Sequence, residues 1–165
     1  MDNEALNDLL NFTERQFWIK PWGHPDRSPD EEQQSFDDPS ITIGFAKQPN
    51  GIRIGDILIV HRIKVSKLIF VAETVASPVR ATEEQMKVNP LFRRWPWNIE
   101  TRILTSTYGA QWSRYSLKTF ALAEEYNDLN PQDQVNLGSL KWGADKLRIS
   151  ERFGKFLIKE IMRLE

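Results

Sequence analysis

The chain has 165 residues, 40% of them hydrophobic and 27% charged, which fits one globular domain with a real core. It has no cysteine, so a disulfide framework and a thiolate metal site are excluded, and a formal net charge of −1 gives no general polyanion signal. No run approaches the roughly 18 apolar residues of a membrane span. The acidic start MDNEALNDLLNF is too short in apolar run for a secretory signal, so a soluble, cytoplasmic protein is expected.

Residues 3–16 read as a helix, with Leu6, Leu9 and Leu10 near helical spacing. RQFWIKP reads as a first strand stopped by Pro21, in which alternation sends either Phe17 or Trp18 inward. Trp22 to Pro39 is a long polar loop rich in Pro, Asp and Gln. ITIGFA reads as a short strand, and QPNG as a turn. GDILIVHRI is the clearest strand, entered through Gly55 and Asp56. SKLIFVAETVAS is its antiparallel partner after a charged turn, ended by Pro78. ATEEQMKVNP reads as a helix with Thr82 as N-cap. WNIETRILT reads as a strand, SRYSLKTFALAE as another whose end also fits a helix, and NDLNPQDQVN as loop. SERFGKFLIKEIMRLE is an amphipathic helix capped by Ser150, with Phe153, Phe156, Leu157, Ile161 and Leu164 on one face. Strands that follow one another with few crossover helices predict an α+β domain: a mostly antiparallel curled sheet or small barrel with helices outside.

The charge is uneven. Residues 24–38, HPDRSPDEEQQSFDD, hold six acids and one arginine. Between Ser40 and Lys118 there are twelve Lys or Arg against five Asp or Glu, compatible with a basic face. Catalytic signatures are sparse. His24 and His61 lie far apart with no cysteine, so a metal site is not expected, and no cofactor is implied. Nucleophile-elbow, phosphate-loop and dinucleotide glycine motifs are absent. Asp56 reads as a turn cap rather than as one of a carboxylate pair with Glu73.

The aromatics remain. Trp142, in LKWGADK, reads as a packing plug over one end of the sheet. Trp22, Trp95, Trp97 and Trp112 each sit in or beside a loop, among Gly, Pro, Ser or Arg. Core or rim packing is one explanation for them. The other is that flat rings stack on nucleobases while guanidinium groups hold phosphates, at roughly 1–3 kcal/mol per stacked base. On that reading Trp22, Trp95, Trp97 and Trp112 stack. Arg93, Arg94 and Arg102 meet phosphates, with Arg62, Lys64 and Lys67 as further candidates at a hairpin tip.

FWIK at 17–20, IRIGDILIVHRI at 52–63, LIFVAETVASP at 68–78, RRWPWNIETRIL at 93–104 and RISERFGKFLIKEI at 148–161 resemble the successive elements of an EVE domain. That family belongs to the PUA-like superfamily and is related to YTH domains. The likeness spans most of the chain from Phe17 to Ile161, and the whole reads as one domain over 1–165 with an N-terminal helix in 1–16, an acidic flexible loop at 22–39 and a C-terminal helix in 150–165. The resemblance implies a small β-barrel with a pocket for a modified, methylated base in DNA or RNA, read by an aromatic cage in the YTH case. EVE-like domains are similar to sensors in some restriction systems, so a nuclease or other protein partner is a further implication. Trp22 follows the first strand, and Trp95 and Trp97 sit where the family's fourth strand begins beside the pocket. Gly55 and Asp56 match its structural turn. SITIGFAK departs from the family, whose segment there is aromatic and Asn-rich.

Two other functions compete with a non-catalytic reader. ASCH domains of the same superfamily include amidohydrolases using Lys, Thr and Glu; Lys20 and Glu73 match two of these, and no threonine follows Lys20 closely. A protein-interaction domain would use the acidic loop 24–38.

Overall fold

A computed structural model describes residues 2–26, 39–105 and 117–163. In chain order the elements are α1 (Asn3–Asn11), β1 (Phe17–Trp22), β2 (Ser40–Phe45), β3 (Ile57–Arg62), β4 (Lys67–Thr74), β5 (Val79–Arg80), α2 (Glu83–Val88), α3 (Leu91–Arg94), β6 (Trp97–Ile103), α4 (Thr119–Leu129), a 3₁₀ helix (Gly138–Trp142), β7 (Leu147–Ile149) and α5 (Glu151–Arg163). Among the described residues, no helix is long and apolar enough to cross a membrane.

Seven strands form one mixed sheet in the order β2-β6-β4-β3-β1-β7, with β5 also on β6. β1 and β3 run parallel, with Phe17 beside Ile57 and Trp22 beside Arg62; the other pairs are antiparallel. The fold is the expected α+β one, as a curled open sheet rather than a closed barrel. β1 runs through Pro21 to Trp22. Its β7 partner ends at Ile19, and a strand with one neighbour tolerates a residue lacking an N–H.

Both faces of the sheet are covered. Successive side chains of a strand point to opposite faces, so Phe17, Ile19, Ile57, Ile59 and Val71 join one core with Leu6, Leu9, Leu122, Tyr126, Phe153, Leu157 and Ile158 from the helices. Trp18, Leu58, Val60, Phe70 and Ala72 join a second core with Ile43, Phe45, Ile99 and Ile103. Phe17 and Trp18 are therefore both buried, where single-sided alternation would leave one outside. β3, buried at all six positions, is the unbroken apolar run this demands. The second core also shows the curl. β2 and β1 are far apart in strand order, yet Phe45 and Trp18 pack in one cluster.

Several boundaries follow from local chemistry. The Asp2 side chain caps α1 by accepting from Ala5 N, and Phe12 turns extended to end it, five residues before β1 and short of the expected 16. Thr82 and Gln85 form a reciprocal capping box on α2. Ser150 Oγ accepts from Phe153 N at the start of α5. The segment SRYSLKTFALAE, read as a sixth strand, is instead a helix in its described part. Lys118 makes only a bridge to Lys67, and Thr119, Leu122, Ala123 and Tyr126 then bury one face of α4 at helical spacing. The 106–116 part of that reading lies outside the described residues, as does most of the acidic loop.

Candidate functional site

The curl brings distant segments to one cleft of about 340 Å³, within the size range of small-molecule sites. The end of β1 contributes Lys20 and Pro21, and Gly23 and Pro25 follow just after it. Ala46 after β2, Ile63 after β3, Arg94 and Trp95 before β6, and the Leu140–Asp145 segment before β7 complete the lining.

Lys20 shares the face of Trp18, the second-core side, and is 2% exposed. Its ammonium lies 4.3 Å from the Phe45 ring centroid, and donates to Asp145 O at 3.1 Å and Asp145 Oδ1 at 3.3 Å. Burial pulls the Lys20 pKa below the ordinary lysine value, and the Asp145 carboxylate opposes the shift. That carboxylate also accepts from Ala46 N at 3.3 Å and Lys47 N at 3.1 Å. Asp145 is thus a clasp: it ties the end of edge strand β2 to the approach to edge strand β7, across the lysine of β1.

Trp95 also lines the cleft and is half-buried. The Arg94 guanidinium carbon lies 5.4 Å from its ring centroid, and the His24 ring meets it edge-on at 5.8 Å. A β-carbon at Gly44 would lie 2.8 Å from Trp95 Cβ, so glycine there lets Trp95 settle against β2. Gly23 has φ +118°, and a β-carbon there would stand 1.9 Å from Arg62 Nη1, so only glycine fits where the chain leaves β1. Arg62 itself is fully buried and donates from Nη1 to Ile63 O at 3.0 Å and Trp22 O at 3.4 Å. Arg62 is therefore a prop under the β1 exit, and a phosphate at the surface cannot reach it.

The other expected site residues fall in several places. Trp22 packs against the second core, edge-on to Phe70 at 5.1 Å. Trp97 packs against the same core from β6, paired with Phe45 and Arg80. Among the described residues, Trp95 is the tryptophan that lines the cleft. Trp112 lies outside them. Arg93 and Arg94 are exposed beside Trp95, and Lys64 is exposed on the β3–β4 turn at φ 71°, with Lys67 half-buried at the start of β4. Arg102 lies elsewhere. It pairs with Asp2 at 2.8 Å and Glu73 at 3.2 Å, near α1.

Glu73 sits on the helix-covered face, in line with Val71 of the first core, whereas Lys20 faces the second. The two residues matched to the hydrolase pattern therefore share no site. His61 is a satisfied core histidine: Nδ1 is 2.6 Å from Thr119 Oγ1, and burial lowers its pKa to about 4. Asp56 Oδ2 accepts from Gln16 Nε2, Trp18 Nε1 and Arg53 N, each at 2.9 Å, and is structural as expected. No cluster of three metal-ligating side chains occurs among the described residues.

Lys20 and Asp145 were not singled out as reader residues in the sequence, although a lysine between Ile19 and Pro21 on a buried face is a visible anomaly. Trp142 corrects the packing-plug expectation. It is 89% exposed at the end of the 3₁₀ helix, beside Gly143, which lines the cleft.

No family model matches the chain, and no curated protein matches it. Among solved structures, it is similar to the YTH domain of Zygosaccharomyces rouxii MRB1, solved in complex with N6-methyladenosine RNA. Identity is 10%, coverage is 91% of this chain and 86% of that one, and the TM-score is 0.49. It is also similar to a hypothetical protein from Leishmania major, at 11% identity, 92% and 98% coverage and a TM-score of 0.52. The second likeness extends over nearly the whole of both chains and is one of fold.

Proposed function

We propose that the chain is a non-catalytic nucleic-acid-binding module that takes a modified base of DNA or RNA into the cleft between Trp95 and Lys20. The observation that carries this reading is a half-buried indole on a cleft of about 340 Å³, with an arginine over its ring and a buried ammonium in the same lining. The indole offers a stacking surface for any base. Arg94 and its exposed neighbour Arg93 stand where the phosphates of a strand entering the cleft would pass. The Lys20–Asp145 pair and the backbone around it offer polar partners to a base edge at the cleft's inner end. A methyl group enclosed there adds about 0.8 kcal/mol.

The test is titration of single-stranded and duplex oligonucleotides, each with and without one methylated base, at two salt concentrations. Trp95→Ala is expected to weaken binding by about 1–3 kcal/mol, roughly 5- to 150-fold, with the melting temperature nearly unchanged. Arg93→Ala is expected to weaken all oligonucleotides alike and to flatten the salt dependence. Equal affinity of Trp95→Ala and the parent for every oligonucleotide would end this reading.

A further inference from the structure

The 3₁₀ helix that closes one side of the cleft holds its last side chain away from the protein. Leu140 is buried in the first core, and Lys141 Nζ lies 4.7 Å over the Phe120 ring. Gly143 then turns the chain with φ +82°, its N–H donating to Ser139 O. These contacts fix the backbone on both sides of Trp142 and leave its indole 89% exposed. Leu140 and Gly143, on either side of it in the chain, both line the cleft, so Trp142 is carried on the segment that borders it.

The segment that carries this ring is mostly cationic. From Lys141 to Arg148 the chain carries Lys141, Lys146 and Arg148 against a single acid, Asp145. The Asp145 carboxylate is already engaged by Lys20 and by the N–H groups of Ala46 and Lys47. Lys146 and Arg148 lie 4.9 and 5.7 Å from the Trp18 ring centroid, on the same side of the sheet as Lys20. Lys47 is exposed on the adjoining wall. An open aromatic face on a cationic segment is the chemistry that takes a nucleobase together with its phosphate.

We propose that Trp142 is a second stacking position, outside the cleft, for the nucleobase adjacent to the one held against Trp95. The phosphate between the two bases would lie between Trp142 and the Arg93–Arg94 side of the cleft. The ligand is then single-stranded nucleic acid of at least two nucleotides. Inside a duplex each base is stacked on both faces and has none to offer. This inference rests on the base-in-cleft reading and adds a second subsite to it.

The experiment compares the parent with Trp142→Ala and Trp95→Ala. The probes are 5-methylcytidine and N6-methyladenosine monophosphates, fluorescein-labelled single-stranded nonamers carrying one of those bases centrally, and the matching duplexes. Trp142→Ala is expected to lose roughly 5- to 150-fold affinity for the nonamer while binding the monophosphate as the parent does. Trp95→Ala is expected to weaken both. The parent is expected to prefer the single strand. Parent-like nonamer binding by Trp142→Ala, an equal loss on monophosphate and nonamer, or equal affinity for duplex and single strand would each overturn the proposal. If Trp95→Ala alone proves silent, the cleft reading fails while the outer position stands as a simple stacking platform. Absence of nonamer binding by the parent overturns both. Unchanged melting curves for Trp142→Ala, expected from its exposure, separate these outcomes from unfolding.

Discussion

Asp145→Ala removes one carboxylate that holds three donors, and the structure sets how much this should cost. The Lys20 side chain is 3% exposed and that of Asp145 is 21% exposed. Removing one partner of a buried pair typically costs about 3–5 kcal/mol, because the other charge is left desolvated. Partial exposure of Asp145 admits some water to the vacated space, so a cost near the lower end, about 3 kcal/mol, is expected. Lys20→Met is expected to cost less, about 1 kcal/mol. Its thioether chain keeps the packing on Phe45, and the remaining carboxylate keeps the Ala46 and Lys47 N–H groups and some water. The double variant should therefore be more stable than the sum of the singles predicts, by roughly 1–2 kcal/mol. Urea unfolding at pH 7, with slope and midpoint measured for all four proteins, is the assay. A pH series adds a sign. Burial sets the folded Lys20 pKa below its unfolded value, so raising the pH discharges the folded state first and favours folding. The deficit of Asp145→Ala should accordingly shrink as the solution becomes alkaline. Strictly additive singles, or a Lys20→Met deficit larger than that of Asp145→Ala, would refute the clasp.

His61 gives an acid limb. Its pKa is about 4 when folded against about 6.5 when unfolded, so the unfolded chain takes a proton first as the pH falls. Stability is lost from about pH 6.5 down to about pH 4, by about 3 kcal/mol in all, and His61→Gln should show a correspondingly flatter profile in the same unfolding assay. Gly44→Ala should push Trp95 off β2 and lower oligonucleotide affinity, since the new carbon would meet Trp95 Cβ at 2.8 Å; fluorescence anisotropy with the parent's affinity would contradict this. Gly154→Ala places a carbon 2.5 Å from Phe17 Cδ1, an overpacking expected to cost about 2 kcal/mol despite alanine's better helix propensity, read as a lower urea midpoint.

Much of this architecture was legible one strand at a time. The turn at Gly55 and Asp56, the apolar run of β3, its antiparallel partner β4 and the caps Thr82 and Ser150 all follow from local chemistry. α4 was not, because TFALAE suits either period, and Lys118 does make a single bridge to Lys67 before tertiary packing selects the helix. The tryptophans divided for the same reason. A loop position beside Pro or Arg describes Trp22, Trp95 and Trp97 equally well, and only the curl of the sheet decides which ring faces a core and which a cleft. Lys20 and Asp145 are 125 residues apart, and nothing local in GADK announces that its aspartate will close a sheet.

The close approach of α5 to β1 has a consequence for how the cleft discriminates. The backbone of α5 at Gly154 rests on the Phe17 ring, while three residues along the same strand Lys20 lines the cleft. One jaw is thereby bolted to the helical layer. Gly23, Pro25 and Trp95 belong to connections and make up the adjustable jaw. A guest is then gauged by its depth against a fixed stop, and tolerance for larger or smaller guests should arise from substitutions in those connections rather than in the strand.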